Sequence, residues 1–356
     1  MTEENGVESR IPQLPQAQHE DIDISVPAAA PLAHPLDGDY FPPPHRRHVL
    51  LPVLLFLATC VSTFWTGAVH WDPAAYLDRI DAAGRILSQG LALDLLRAAL
   101  VRAVGVLTQD WNLSQGLIYM AAVVGILLSH EMGHFLTARH YRIRASLPFF
   151  IPVPILPFGT LGAVIGLEGS RANRRQIFDL GLAGPLIGLA VTLPIIWLGI
   201  RQLAAVPPSG SGLCFHNPLI FRLLILAIRP DYPTPDYFYL NQFNPLLMAG
   251  WVGVLVTGLN MLPISQLDGG HTAYALLGRR AHLLARSLVV AAIVVIVAEE
   301  VYVWVVMLVV VILLGTDHPP TADDHMALGW PRRLLGWLAL SVPIFCFPSL
   351  GISPPM

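Results

Sequence analysis

The chain has 356 residues, of which 54% are hydrophobic and only 13% are charged. Such a composition excludes an ordinary soluble domain and is typical of a protein that crosses a membrane several times. A formal net charge of −3 gives no sign of nucleic-acid binding, and three scattered cysteines are too few for a disulfide framework.

The first 45 residues differ from the rest of the chain. They are polar, acidic and rich in proline, so they cannot bury enough apolar surface to offset the entropy cost of ordering. We therefore predict a disordered tail over residues 1–45, followed by a membrane-embedded domain over residues 46–350.

Apolar stretches of suitable length for membrane spans follow along the chain. A bilayer core of about 30 Å needs roughly 20 helical residues, and such stretches lie at about 49–69, 115–138, 177–200, 245–262 and 334–350. Residues 287–315 exceed one span, which favours two short helices that turn at Glu299 and Glu300 over one long interrupted helix. Residues 91–107 are apolar but carry charges, which predicts an amphipathic or partly buried helix instead of a span. The expected fold class is an all-α polytopic membrane protein with six to seven transmembrane helices.

Residues 145–176 do not have a helical pattern. Three prolines fall within the seven residues 148–154, and glycines interrupt the apolar stretch 158–167. Non-helical backbone at membrane depth occurs only where it is buried in protein or lines a cavity. We therefore predict a re-entrant loop or a β-hairpin in this part of the chain.

Arginines are concentrated in one alternating set of the connections between predicted spans, including Arg46, Arg47, Arg139, Arg142 and Arg144. By the positive-inside rule, this bias places the N-terminal tail in the cytoplasm. Residues 201–244 then form an extracytoplasmic loop, and the second span ends near the cytoplasmic face.

The second predicted span contains HEMGH at residues 130–134, close to its C-terminal end. On a helix, His130 and His134 share one face, and two imidazoles at this spacing can hold one Zn²⁺. Glu131 on the adjacent face can serve as the base that activates water. The alternative is that these side chains simply pack in a helix core, but ionisable groups inside a span are costly without a function.

A catalytic zinc site normally has a third protein ligand. His140 gives the spacing of the soluble HExxHxxGxxH proteases, but Thr137 occupies the position of their glycine, and a continuous helix would point His140 away from His134. Asp268, in a Leu-Asp-Gly-Gly sequence after a later span, is the better candidate. A lone Asp-Gly is also typical of a turn or a helix cap.

Three motifs taken together resemble the site-2 protease family of intramembrane zinc metalloproteases. They are HEMGH at 130–134, Gly184-Pro185 in the following span, and Asn260-x-x-Pro263-x-x-x-Leu267-Asp268-Gly269. The likeness covers roughly residues 49–350, with the strongest matches at 128–188 and 258–275. It is greatest to the branch found in cyanobacteria and plastids, partly through Phe-Gly-Thr-Leu-Gly-Ala at 158–163.

The resemblance implies a role for each residue that matches these motifs. His130, His134 and Asp268 would hold one catalytic Zn²⁺, and Glu131 would be the catalytic base. Asn260 would bind the substrate backbone or the developing oxyanion.

The resemblance also implies that the segment Gly159–Leu167 is a membrane-embedded hairpin that pairs with an extended substrate. Candidate substrate-binding residues are therefore Gly159, Thr160, Gly162 and Ala163. An ordinary packed loop is the alternative, because glycines also serve turns.

The implied function is that of an intramembrane zinc metalloprotease with its core at residues 115–275. It would hydrolyse peptide bonds within or near transmembrane segments of membrane proteins, in regulated intramembrane proteolysis. Its partners would be those substrates and the lipid bilayer, without nucleic acid, and its location the cytoplasmic membrane of a bacterium. Many bacterial members carry a PDZ domain between the third and fourth spans, and the 44 residues at 201–244 are too few for one.

A divalent-metal transporter that uses the same ligands is the main alternative function. Such a protein needs further acidic or histidine side chains along a path, and Glu299 and Glu300 are the obvious surplus. They fall in a predicted outer turn, where a solvated cap explains them equally well. A non-proteolytic membrane chaperone or scaffold is disfavoured by the intact motif.

Overall fold

The computed structural model describes residues 49–71, 105, 110–167, 172–207, 213–264, 266–348 and 351–353. The predicted disordered tail at 1–45 lies outside these residues. The predicted amphipathic helix at 91–107 also lies outside them, apart from Gly105.

The described chain is mainly helical. Its helices are α1 (Leu50–Ala68), α2 (Asp110–His140), α3 (Arg174–Arg201), α4 (Leu219–Ile228), α5 (Pro245–Asn260), α6 (Asp268–Leu277), α7 (Arg280–Ala298), α8 (Val305–Leu314), α9 (Trp330–Leu340) and α10 (Val342–Cys346). Its strands are β1 (Phe149–Pro152), β2 (Thr160–Val164), β3 (Cys214–His216), β4 (Tyr237–Tyr239) and β5 (Ile352–Ser353). The mostly helical fold agrees with the prediction, and two small sheets form beside the helices, one of them the hairpin of β1 and β2.

Four described helices are long and apolar enough to cross a membrane: Leu50–Ala68, Asn112–His140, Arg174–Arg201 and Arg280–Ala298. The apolar stretch at 245–262 forms the 16-residue helix α5, which is shorter than a standard span. Residues 287–315 do form two helices, which turn at Glu299 and Glu300 as predicted. The total of six to seven spans stays a prediction.

The last predicted span, at 334–350, is not one helix. Helix α9 ends at Leu340 and α10 begins at Val342, with Pro343 in its first turn. Proline has no backbone N–H and its ring clashes with the preceding turn, so a proline here ends one helix and is accepted only at the start of the next.

Helices α2, α3 and α5 pack against one another and form the centre of the bundle, with α1 against α2 and α6 against α3. An aromatic cluster fills one part of this core. Phe158 stacks on Trp251 with ring centroids 5.6 Å apart, and Phe215 meets the same indole edge-on at 5.1 Å. The cluster therefore joins the segment before β2 to α5 and to β3.

Residues 149–164 form an antiparallel hairpin, which is one of the two forms predicted for this part of the chain. Phe149 pairs with Val164 and Phe150 with Ala163, and the register shifts before Pro152. The hairpin is held against the bundle at its turn, where Ser62 donates a hydrogen bond to the Gly159 carbonyl at 2.5 Å and Tyr119 donates one to the Phe158 carbonyl at 3.1 Å.

The predicted loop at 201–244 contains ordered structure. Strand β3 lies between β4 and β5 in an antiparallel sheet, so the segment 352–353 is bound to the connection that follows α3. The apolar stretch 219–228 is helix α4, which buries Phe221 and Ile225 on one face.

The turn of the hairpin gives a test of its packing against α1. Gly159 has φ +73°, and a β-carbon there would lie 2.8 Å from the Thr63 Cα, whereas a β-carbon at Gly162 (φ +104°) would meet nothing within 4 Å. Both Gly→Ala changes place a side chain in an unfavourable backbone region, at about 1–2 kcal/mol. Gly159→Ala adds overpacking of about 1–3 kcal/mol.

We therefore expect Gly159→Ala to lower the thermal midpoint in detergent clearly more than Gly162→Ala, by scanning fluorimetry of the purified protein. Equal midpoints for the two variants would contradict the contact between the turn and α1.

Candidate metal centre

Helix α2 carries the two histidines and the glutamate of the HExxH motif. The helix is unbroken from Asp110 to His140, so His130 and His134 are one turn apart on the same face. Both imidazoles and the Glu131 carboxyl group are buried, with 3 to 5% of each residue exposed. Three ionisable side chains therefore lie inside the bundle, where a charge without a partner would be costly.

The third member of the group comes from the first residue of α6. The Asp268 carboxylate lies 3.2 Å from His130 Nε2 through one oxygen and 3.3 Å from His134 Nε2 through the other. The two Nε2 atoms are themselves 3.2 Å apart. Among the residues that the structure describes, these three form the group able to hold a metal ion.

The spacing of the three donor atoms fits a zinc ion. Zinc binds nitrogen and oxygen at about 2.0–2.2 Å in tetrahedral geometry, which places neighbouring ligand atoms about 3.3–3.6 Å apart. The two Nε2 atoms are 3.2 Å apart, and each lies 3.2 or 3.3 Å from a different oxygen of the Asp268 carboxylate. These distances are close to the edge of such a tetrahedron, so the triangle of ligand residues His130, His134 and Asp268 fits one ion.

Hydrogen bonds orient the groups around the triangle. His134 donates Nδ1–H to the Leu180 carbonyl at 2.9 Å, which leaves its Nε2 lone pair directed at the other two ligands. The amide nitrogen of Asn260 lies 3.3 Å from His130 Nε2. Glu131 Oε2 is buried and has no hydrogen-bond partner among the described residues, which is unusual for a carboxylate oxygen unless a ligand or water completes it.

Glycines let three helices meet at the site without side chains between them. A β-carbon at Gly133 of α2 would lie 2.5 Å from the Ala183 carbonyl oxygen, and one at Gly184 of α3 would lie 2.0 Å from His134 Nε2. One turn earlier on α3, a β-carbon at Gly181 would lie 2.8 Å from the Asp268 carbonyl oxygen. The small residues of α3 therefore place it against both ligand-bearing helices.

Asp268 reaches the site because the chain turns sharply before α6. Gly269 approaches the end of α5 so closely that a β-carbon there would lie 2.1 Å from the Met261 carbonyl oxygen. The backbone at Asp268 is thereby fixed next to the Asn260 end of α5, and Thr272 donates a hydrogen bond to the Asp268 carbonyl.

The structure separates the two candidates for the third ligand. His140 is the exposed last residue of α2, and its ring contacts Tyr141. The helix continues through Thr137 without the turn that the soluble three-histidine site requires. Asp268, and not His140, joins His130 and His134.

The predicted substrate-binding residues lie on the hairpin and not in the donor triangle. Gly159 precedes β2, and Thr160, Gly162 and Ala163 are in β2. The Thr160 hydroxyl is used inside the hairpin, where it donates to the Ile151 carbonyl and accepts from the Gly162 N–H.

Sequence reasoning missed the groups that contact the ligand side chains from behind, such as those around His134. The Leu180 carbonyl has no signal in the sequence, because any residue supplies a carbonyl. The contact of Gly184 with His134 is indicated in the sequence only by the repeated small residues at 181–188. These residues predict close helix packing but do not identify His134 as the partner.

Comparison with known proteins finds a peptidase family and zinc metalloprotease relatives. The family described as "Peptidase family M50" matches residues 118–299, about half of the chain. The chain is 33% identical over 163 residues to "Probable zinc metalloprotease EGY1, chloroplastic" of Arabidopsis thaliana, covering 45% of the chain and 29% of that protein. It is 30% identical over 242 residues to the EGY1 protein of Oryza sativa subsp. japonica, covering 65% and 38%. The matched regions span about a third of the length of these relatives, and no solved structure matches.

The contact of Gly184 with His134 can be tested by adding a single β-carbon at position 184. Alanine normally favours a helix over glycine by about 1 kcal/mol, but at position 184 the methyl group would occupy the space of the imidazole. We expect Gly184→Ala to displace His134 and lose bound metal, measured as metal per protein by mass spectrometry.

Gly125→Ala on α2 is the matched control, because a β-carbon there would meet nothing within 4 Å. It should keep full metal content and an equal or higher thermal midpoint. Full metal content in Gly184→Ala would show that α3 does not confine the ring as described.

Proposed function

Because the chain belongs to peptidase family M50, the site-2 protease family, we propose that it is a zinc metallopeptidase that hydrolyses peptide bonds in membrane proteins, within or beside their transmembrane segments. The observation that carries this proposal is the triangle of two buried histidines, His130 and His134, and the partly buried Asp268, together with the unpartnered carboxyl oxygen of Glu131. The zinc metalloprotease relatives support the choice of metal.

His130, His134 and Asp268 would hold the ion. When bound, zinc would polarise the scissile carbonyl and make a water molecule acidic enough to react near neutral pH. Glu131 would accept the proton of that water through Oε2 and return it to the leaving amine. Its burial between helices keeps bulk water from competing for the same oxygen.

Asn260 has a separate role in the proposed site. Its amide nitrogen lies 3.3 Å from His130 Nε2, and once that nitrogen is a metal ligand it no longer accepts a hydrogen bond. The Asn260 N–H would then be directed at the substrate carbonyl, where it stabilises the negative charge that develops on the oxygen.

The substrate would bind along β2. A transmembrane helix hides its peptide groups in its own hydrogen bonds, so it must unwind before hydrolysis, and an extended segment can add to a strand edge. Leu161 and Val164 are exposed on β2, and the space beside Gly162 is open. We propose that Gly162 and Ala163 border the substrate, whereas Gly159 and Thr160 shape the turn.

The membrane arrangement is part of the same proposal. The N-terminal tail would be cytoplasmic, the site would lie nearer the cytoplasmic face, and six to seven segments would cross the bilayer of a bacterial cytoplasmic membrane. The protein would act in regulated intramembrane proteolysis. Residues 201–244 would face the other side, and their small sheet and helix α4 would stand where other members carry a PDZ domain.

The role of Glu131 is tested by the isosteric change Glu131→Gln. The amide keeps the shape but cannot accept the proton of water, so we expect zinc to be retained and peptide hydrolysis to fall by about 10²–10⁴-fold. The measurement compares membrane-protein fragments, by proteomics, in cells that carry the wild type or the variant.

Glu299→Gln is the control, because this residue is exposed at the turn after α7. It should leave the fragment pattern unchanged. Undiminished cleavage by Glu131→Gln would remove Glu131 from the role of base. Metal uptake into vesicles, without any fragment that depends on Glu131, would favour a transporter.

The ligand assignment has its own test. We expect Asp268→Ala to lose zinc, because two imidazoles alone leave the ion with too few ligands. His140→Ala should bind one zinc ion per chain like the wild type, since His140 is exposed at the end of α2. The measurement is zinc per protein after purification, and the reverse pattern would overturn the assignment.

A further inference from the structure

The segment between α8 and α9 lies across the helix ends next to the metal site. We call residues 315–329 the strap. Its backbone is bound to the start of α3, where the Ala322 N–H donates to the Ala172 carbonyl at 2.9 Å and the Arg174 N–H donates to the Asp323 carbonyl at 3.2 Å. The Arg175 side chain adds a hydrogen bond to the Ala327 carbonyl at 2.6 Å. The strap is therefore fixed to the helix that packs on both ligand-bearing helices.

The strap also contacts α6, the helix that begins with Asp268. Tyr274 donates a hydrogen bond to Asp324 at 2.9 Å, and the Tyr274 ring stacks on His318 with centroids 4.4 Å apart. One turn closer to Asp268, His271 Nδ1 lies 2.6 Å from His318 Nε2. His318 is the strap side chain that reaches nearest to the ligand end of α6.

The direction of the hydrogen bond between these two histidines is determined by a third group. His318 donates Nδ1–H to the Pro319 carbonyl at 2.5 Å, so its Nε2 carries the lone pair and accepts the proton of His271 Nδ1. His318 is 6% exposed, and burial lowers the pKa of its imidazole. The two rings therefore form a directed donor–acceptor pair.

Helix α6 depends on such contacts for its position. It has only ten residues and no side-chain cap at its N-terminus. On the α3 side, a β-carbon at Gly181 would meet the Asp268 carbonyl and the His271 Cβ, each at 2.8 Å. The helix also packs against α7 and α9, and the strap contacts it at His271 and Tyr274. A shift of α6 would move the carboxylate of Asp268 away from the two imidazoles.

We propose that His318 is a positioning residue for the metal site: by accepting the hydrogen bond of His271, it holds α6 where the Asp268 carboxylate completes the ligand set. His318 lies outside residues 118–299, the part of the chain that matches the peptidase family. The proposal rests on the proposed function, since it assumes that the triangle binds zinc. Substitution of a group that orients a metal ligand through a hydrogen bond typically lowers metal affinity by about 10–100-fold.

Two substitutions of His318 separate its hydrogen bond from its packing. His318→Gln keeps a carbonyl oxygen that can accept from His271 Nδ1, but it loses the stacked ring. His318→Phe keeps the ring on Tyr274 and loses the acceptor. We expect the Gln variant to bind zinc like the wild type and the Phe variant to bind it about 10-fold more weakly or worse.

The measurement is zinc affinity of the full chain in detergent, by competition with a chromophoric chelator, together with the absorption spectrum of the cobalt-loaded protein. The cobalt spectrum reports ligand geometry and should change only in the Phe variant. Asp317→Ala is the control in the same strap, because Asp317 pairs with Arg286 at the surface. It should leave zinc affinity and spectrum unchanged.

Each other result has a defined meaning. Unchanged zinc affinity in His318→Phe would overturn the proposal, and so would loss of affinity in His318→Gln with retention in His318→Phe, the result that a packing role predicts. Equal weakening by Asp317→Ala would also overturn it. A wild-type chain that takes up no zinc would overturn the proposed function instead.

Discussion

The metal-binding group depends on the direct backbone contact between α2 and α3. Gly133 and Gly184 face the opposite helix so closely that neither position has room for a β-carbon. This approach brings the Leu180 carbonyl within hydrogen-bond distance of His134, and α6 packs against the same helix α3. The ligand triangle is therefore set by the distance between two helix axes, and not by the HExxH spacing alone.

The charge of Asp268 favours a bound cation between the three ligand side chains. A buried carboxylate costs several kcal/mol unless it is paired, and Asp268 is 14% exposed with two imidazoles as its nearest partners. A dication held by one carboxylate and two neutral rings would leave a net positive charge. That charge would stabilise the oxyanion of peptide hydrolysis, and Glu131 next to it would carry the proton.

Much of the site could be predicted from the sequence, because short local patterns determine it. The spacing of His130 and His134 follows from the helical period, and the long apolar stretches gave α2 and α3. The missing glycine at Thr137 argued against His140, and in the structure Asp268 is the residue that lies beside the two histidines. The hydrogen bond to His318 could not be predicted, because it joins residues 47 positions apart and has no local pattern. The break between α9 and α10 was readable from Pro343 but was hidden by the apolar composition around it.

The path of the chain after the strap has a consequence for counting membrane passages. Arg332 binds Asp179 near the start of α3, whereas β5 pairs with β3, in the connection that follows the other end of the same helix. With 28 residues at 1.5 Å each, α3 is about 42 Å long. Between these two anchors the described chain forms the two short helices α9 and α10. A passage from one end of the bundle to the other can thus be assembled from pieces, and a search for single long helices would not register it.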